Sequence, residues 1–276
     1  MTRPYAKAAA KATPDTAPQA EDGPGAASSH AVKRVFQLLD YLSQGGSSHN
    51  LSELARRTGI NRVTAMRLLQ AMAAEDIVSQ RQDGGHELSL NFLALAARSL
   101  GANDLNAQCQ QALHRLSRQF GVSAYHVLPE SDNVLYLSSA MPATPLTTNI
   151  RTGVRVPFFA VTPGLVLWAY QPADARERIL QAARKRWPGK KAALAALPAR
   201  RVQILDEGCA WSFSEFDQGV NACAAPILDA QGQVVGAISL VAPEVSFPDE
   251  PAFRRALSQA LVRNCAQLGA LHGRVR

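Results

Sequence analysis

The chain has 276 residues, 47% of them apolar and 18% charged, with a formal net charge of +7. That length exceeds the usual single domain, so one large or two modest domains are expected, and the composition excludes a wholly disordered or fibrous chain. The basic excess permits a polyanionic partner without identifying one.

Most of that excess lies beyond residue 100, including the run "RKRWPGKK" (Arg184 to Lys191), which a solvated face explains equally well. Cys109, Cys209, Cys223 and Cys265 form no CxxC pair and have no His partner at metal spacing. Neither a metal nor another cofactor is therefore expected, and reduced thiols in a cytosol are the default. Nothing approaches the run of about 18 apolar residues that a membrane span needs. Residues 1–29 are rich in Ala, Pro, Ser and Thr, lack an apolar stretch and read as a flexible tail.

Order is expected from about His30. "AVKRVFQLLDYLSQ" places Val32, Val35, Phe36, Leu38, Leu39 and Leu42 at spacings of three and four, an amphipathic helix. A second helix is expected from Ser52 as N-cap to Thr58, with Gly59 in the left-handed position that ends it. A third starts at Asn61 and runs to about Ala74. "DIVSQRQDGGHELSL" then alternates around Asp83-Gly84-Gly85, a hairpin signal. Helix, helix, short turn, helix, hairpin is the order of a winged helix-turn-helix. A linker helix is expected from about Asn91, and residues 104–120 read as the first helix of a second domain. "SAYHVLP", "NVLYLSSA" and "LTTNIRTGVRV" read as strands, followed by a helix opening at Thr162-Pro163 and a basic helical stretch to Glu207. Two further strands, "NACAAPILDA" and "QVVGAISLVAP", and a closing helix complete the chain. The mixture predicts an α+β domain on an antiparallel sheet.

The break at Gly59 lets one helix brace the next at a steep angle. Leu51, Leu54, Ala55, Ile60, Ala65, Leu68, Leu69 and Met72 can share a core, leaving Arg62, Val63, Met66 and Arg67 on the opposite face, with Asn61 and Thr64 at the start of the same helix. In a major groove an arginine reaches guanine edges or phosphates, and Val63 or Met66 a thymine methyl. Ser52 and nearby amides are candidates for a phosphate at a helix N-terminus, and Arg81 for a contact from the wing. A helical packing unit with solvated arginines would show the same pattern.

These blocks, together with "IRTGVRVPFFAVTPGLVLWAY" and "EGCAWSFSEFDQGVNACAAPILDAQGQVVGAISLVAP", resemble the IclR family of bacterial transcription regulators from about His30 to the C-terminus. The resemblance implies a winged helix-turn-helix at 30–92, a linker helix at 93–103 and a GAF-like effector-binding and oligomerisation domain with a curved antiparallel sheet at 104–276. It also implies a dimer or dimer of dimers on palindromic double-stranded DNA, with two recognition helices about 34 Å apart. A small organic acid is the implied effector.

The implied effector pocket lies between the helix at Thr162 and two late strands, with Phe159, Thr162, Gly164, Leu165, Ser212, Ala222, Ser239 and Val241 as its candidate residues. Thr162 is expected to cap that helix, and the amides of Gly164 and Leu165 to be free for a carboxylate. Several positions depart from the family pattern. Phe159 stands where a His is usual, Leu165 where a Lys or Arg is, Ser212 where acidic residues are and Ala222 where a Cys is. On an alternating strand Cys223 would face away and not replace that thiol. These changes remove polar groups, so the expected effector is larger and more apolar than a keto acid, such as an aromatic carboxylate. Alternatively, Phe159, Phe213 and Val241 are ordinary core and the pocket is small or empty.

No nucleophile elbow and no Gly-rich phosphate loop is present, so an enzyme is not expected. A non-catalytic sensor acting through protein contacts is the alternative, and DNA binding by residues 30–92 separates the two.

Overall fold

The computed structural model describes residues 24–101, 104–145 and 147–272. These fall into two compact units, within residues 1–102 and 103–276. The first contains α1 (Pro24–Ser43), α2 (Leu51–Thr58), α3 (Arg62–Ala74), the antiparallel pair β1 (Val78–Gln80) and β2 (His86–Leu88), and α4 (Leu90–Gly101). Helix α1 opens at Pro24, six residues before the expected start: proline suits a first helical turn, and no breaker other than Gly25 follows it. Residues 1–23 of the expected tail lie outside the described residues.

The core of this unit comes from Leu38, Leu39, Leu42, Leu54, Ile60, Ala65, Leu69, Met72 and Val78. Spacing misassigned two positions of α1. Val32 and Phe36 are 55% and 66% exposed, whereas Val35 between them packs against the core that Leu38, Leu39 and Leu42 enter fully. Helix α4 has no fully buried residue: Phe92 packs partly against this core, and Leu90, Leu93, Leu95 and Leu100 are exposed.

The second unit is built on a curled six-stranded sheet in the order β5-β4-β3-β8-β7-β6, antiparallel throughout. Its strands are β3 (Ser123–Glu130), β4 (Asn133–Ala140), β5 (Arg155–Pro157), β6 (Ala210–Phe213), β7 (Val220–Leu228) and β8 (Val234–Pro243). Helices α5 (Asp104–Phe120) and α10 (Pro251–His272) cover one face and α6 (Thr162–Ala169) the other. Between β5 and β6 also run α7 (Ala173–Arg186), α8 (Lys191–Ala195) and α9 (Leu197–Glu207). With both faces covered, β7 and β8 are buried almost end to end. Their side chains alternate: Ala222, Ala224, Ala237 and Val241 join the α6 cluster, whereas Cys223, Ala225, Ile238 and Leu240 join the α5–α10 cluster.

The expected strand over 146–156 is mostly loop. Among its described residues only Arg155 and Val156 belong to a strand. Instead of a ladder, the Tyr125 hydroxyl serves this backbone, donating to Thr148 O at 2.5 Å and accepting from Ile150 N at 3.0 Å. Gly153 then turns the chain at φ 83°. Conversely, "AWSF" is an edge strand that its four-residue length concealed.

All four cysteines are buried and free in the α5–α10 cluster, and burial pushes the Cys109 thiol up to about 12. His126, opposite Ile238, is 1% exposed, and neither ring nitrogen has a hydrogen-bond partner among the described residues. Burial lowers its pKa to about 4, below the unfolded value of 6.5, so the unfolded state takes up the proton first. This contribution to stability is therefore present above pH 6.5 and lost as pH falls toward 4, by about 3 kcal/mol in all. Denaturant midpoints against pH should show that component, and His126→Leu should lack it.

Candidate functional site

Two sets of residues were singled out, one in each unit. In the first unit, Asn50 rather than Ser52 caps α2: its Oδ1 accepts from the amides of Ser52 and Glu53 at 3.1 Å each. The Ser52 amide is thus committed within the helix and is not open to a phosphate. The turn itself is as expected. Gly59 is left-handed at φ 71° and its N–H closes on Ala55 O at 2.9 Å, and Asn61 caps α3 by accepting from Thr64 N at 2.8 Å. Helix α3 buries Ala65, Leu69 and Met72. Its other side carries Arg62, Val63, Met66 and Arg67, all exposed, with Val63 at 81%. Arg62 and Arg67 make no hydrogen bond or ion pair with any described residue, whereas Arg57, across the turn, lies over the Tyr41 ring at 5.2 Å. Thr64 is half-buried behind this face.

Arg81 sits in the β1–β2 loop within 3.5 Å of Asp83 and more than half exposed. The buried Ser48 hydroxyl accepts from His86 N at 2.6 Å and ties the hairpin down. A cleft of about 410 Å³ runs between α3 and the hairpin, lined by Met66, Gln70, Gln80 and His86. Gln70 is exposed one turn beyond Met66 and Arg67, and sequence reasoning passed over it. The same helical spacing, continued one turn, would have found it.

In the second unit Phe159, Thr162, Gly164, Leu165, Ser212, Ala222, Ser239 and Val241 are all buried. Two expectations about the start of α6 are corrected. The cap position is Val161, not Thr162, and the Thr162 hydroxyl turns to that of Ser212 at 2.5 Å. The Gly164 amide donates to Val161 O at 3.2 Å and is not free for a carboxylate. Gly164 is required by packing: a Cβ there would overlap the Phe158 carbonyl. A side chain such as that of Gly164→Val would break this seat, so the change is no clean test of ligand binding.

On the same sheet face Ser239 pairs with Tyr125 of β3, and Ser123 with Val241 of β8. Ser123 and Ser239 are therefore diagonal neighbours, 1% and 0% exposed, and neither hydroxyl has a hydrogen-bond partner among the described residues. Ser123 was missed, because only the strand register shows that it shares a face with Ser239.

A sequence profile described as the IclR helix-turn-helix domain matches residues 31–82, and one described as the bacterial transcriptional regulator IclR C-terminal matches residues 97–268. The chain belongs to the IclR family. It is a transcriptional regulator with a helix-turn-helix DNA-binding domain and an IclR effector-binding domain.

Among the IclR relatives, the glycerol operon regulatory protein of Streptomyces griseus is 27% identical over 241 residues, covering 86% of this chain and 93% of the relative. The HTH-type transcriptional regulator KdgR of Escherichia coli is 26% identical, covering 80% and 84%. An IclR transcriptional regulator from Alicyclobacillus acidocaldarius has the same fold, with a TM-score of 0.77 at 25% identity, covering 88% and 99%. An IclR homologue from Microbacterium hydrocarbonoxydans complexed with 4-hydroxybenzoate superposes with a TM-score of 0.74 at 20% identity, covering 89% and 100%.

Against the IclR pattern, the alternation of β7 sends Ala222 to the α6 side and Cys223 to the opposite one, so no thiol replaces the missing cysteine. Among the described residues no group of three or more His, Cys, Asp or Glu side chains is placed to hold a metal, and no helix is long and apolar enough to cross a membrane.

Proposed function

We propose that this regulator binds a palindromic site in double-stranded DNA as a dimer or dimer of dimers in the cytoplasm, and that a small aromatic carboxylate bound in the second unit changes its affinity. One observation carries the DNA reading. Arg62, Val63, Met66 and Arg67 stand together on the solvent side of α3, the two arginines with no hydrogen bond or ion pair among the described residues, while the opposite side holds the core. The exposed leucines of α4, with Val32 and Phe36, supply apolar surface for self-association. A non-catalytic sensor working only through protein contacts would leave this arginine pair solvated, and binding to duplex DNA separates the two readings.

For the effector, the acid group is assigned to the Ser123 and Ser239 hydroxyls and the ring to Leu165, Ala222 and Val241, which belong to one cluster on that face. Two buried hydroxyls without partners are costly, and an acid accepting from both would remove that cost. The aromatic acid held by the Microbacterium relative supports the class. Because these residues are sealed, entry requires the layer over them to shift, which gives the ligand a conformational change to select.

Footprinting on DNA upstream of its own and neighbouring genes, with aromatic and short aliphatic acids added, tests the reading. A symmetric footprint altered by the aromatic acids is expected; no binding to duplex at low salt rejects it. Calorimetry tests the pocket. Ser123→Ala and Ser239→Ala should leave the melting temperature unchanged or slightly raised and weaken the acid about tenfold each. Unchanged affinity in both would place the acid elsewhere.

A further inference from the structure

A cavity in the effector unit lies outside the residues proposed to hold the aromatic acid. It has a volume of about 260 Å³ and opens between α7 and the β3–β4 turn. Ile179, Ala182, Ala183 and Arg186 face it from α7, at the i, i+3, i+4 and i+7 spacing of one helix side. The two alanines leave the room. Pro157, Phe158 and Phe159 close the opposite side, and Phe159 is held edge-on against Trp168 with ring centroids 5.5 Å apart. The side chains of the inner wall, Ile179, Ala182, Ala183, Phe158 and Phe159, are thus apolar.

The charged and amide side chains of its lining are Asp132, Asn133 and Arg186, and none of them has a hydrogen bond or ion pair within the described protein. Arg186 only lies over the Trp187 ring at 5.6 Å, and Lys190 approaches the same ring at 5.8 Å. Asp132 and Arg186 carry opposite charges at one opening and do not pair with each other. A simple carboxylate would satisfy Arg186 but meet Asp132, and a simple amine would do the reverse. A ligand bearing both charges satisfies both, with Asn133 able to donate or accept between them.

We infer that this cavity is a second small-molecule site, specific for a zwitterionic α-amino acid with an apolar side chain. Its carboxylate meets Arg186, its ammonium meets Asp132 and its side chain enters the space over Ala182 and Phe159. The volume suits a side chain of leucine or phenylalanine size.

The site is independent of the aromatic-acid pocket, so each can fail alone. Titration calorimetry on the full chain with L-phenylalanine and L-leucine tests it, alongside 3-phenylpropionate and 2-phenylethylamine, which each lack one charge. At least one amino acid should bind about tenfold or more tightly than either single-charge analogue. Arg186→Ala and Asp132→Asn, both at exposed positions, should each weaken it about tenfold, and Ala182→Leu should abolish it by filling the space. A circular-dichroism melt of each variant confirms folding, and Ser239→Ala should leave the amino acid's affinity unchanged. The inference is overturned if neither amino acid binds, if the analogues bind as well, or if the folded Ala182→Leu protein binds normally.

Discussion

Arg67→Ala should weaken operator binding about ten- to a hundredfold while leaving effector affinity for the free protein unchanged. The side chain is exposed and uncommitted, so its removal disturbs no folded contact, and alanine is the better helix former. The size follows from a lost bidentate arginine contact to a base edge, about 1–3 kcal/mol. Electrophoretic titration on cognate and scrambled duplexes at several salt concentrations distinguishes two roles. A base contact predicts relaxed preference at one operator position. A phosphate contact predicts equal loss on every sequence and a salt slope shallower by about one counterion. Arg62→Ala should behave alike, and the double variant should bind only non-specifically. Full affinity in the double variant would remove α3 as the recognition element.

Gly164→Ala and Gly269→Ala should each destabilise the effector unit by about 3 kcal/mol, near the upper end for overpacking, and lower its melting temperature by about 10 °C. At both positions a Cβ would overlap backbone, the Phe158 carbonyl for Gly164 and the Leu228 carbonyl for Gly269. Backbone in a sheet or at a helix seat cannot step aside as a flexible side chain can. Helix α10 therefore lies directly on the end of β7, and α6 directly on the turn at Phe158. Gly101→Ala is the control: it is helical and nothing lies within 4 Å of the added carbon, so the change should be neutral or slightly stabilising. Differential scanning calorimetry would show the contrast, and melting temperatures within a degree of the parent for both buried glycines would refute it.

Linkage gives these sites a shared constraint. If effector changes DNA affinity by some factor, DNA changes effector affinity by the same factor. Arg67→Ala then removes the coupling by removing one ligand, not by altering the other's pocket.

The DNA-binding half was the more legible. Gly59, Asn61 and the Asp83-Gly84-Gly85 turn act through backbone conformation and hydrogen bonds a few residues away, and such signals survive in any short stretch of sequence. The cap of α2 was displaced by two positions because Asn50 and Ser52 are both good capping residues, and only geometry shows that Asn50 reaches the free amides. The candidate effector residues came largely from the family resemblance, and their local surroundings were less well anticipated. Thr162 turns to Ser212, fifty residues away, and the Gly164 amide is satisfied inside its own turn.

By itself, then, the sequence determined the helix-turn-helix, the wing, the two-domain order, the opposed facing of Ala222 and Cys223, and membership of the IclR family, since each rests on local periodicity or on ordered motifs. Strand register, packing and charge pairing across the fold decided the rest: that Ser123 joins Ser239, that Gly164 must lack a side chain, and that Asp132 and Arg186 share one opening. Those are relations between residues distant in the chain, and their energies exist only once the sheet and its covering helices have formed.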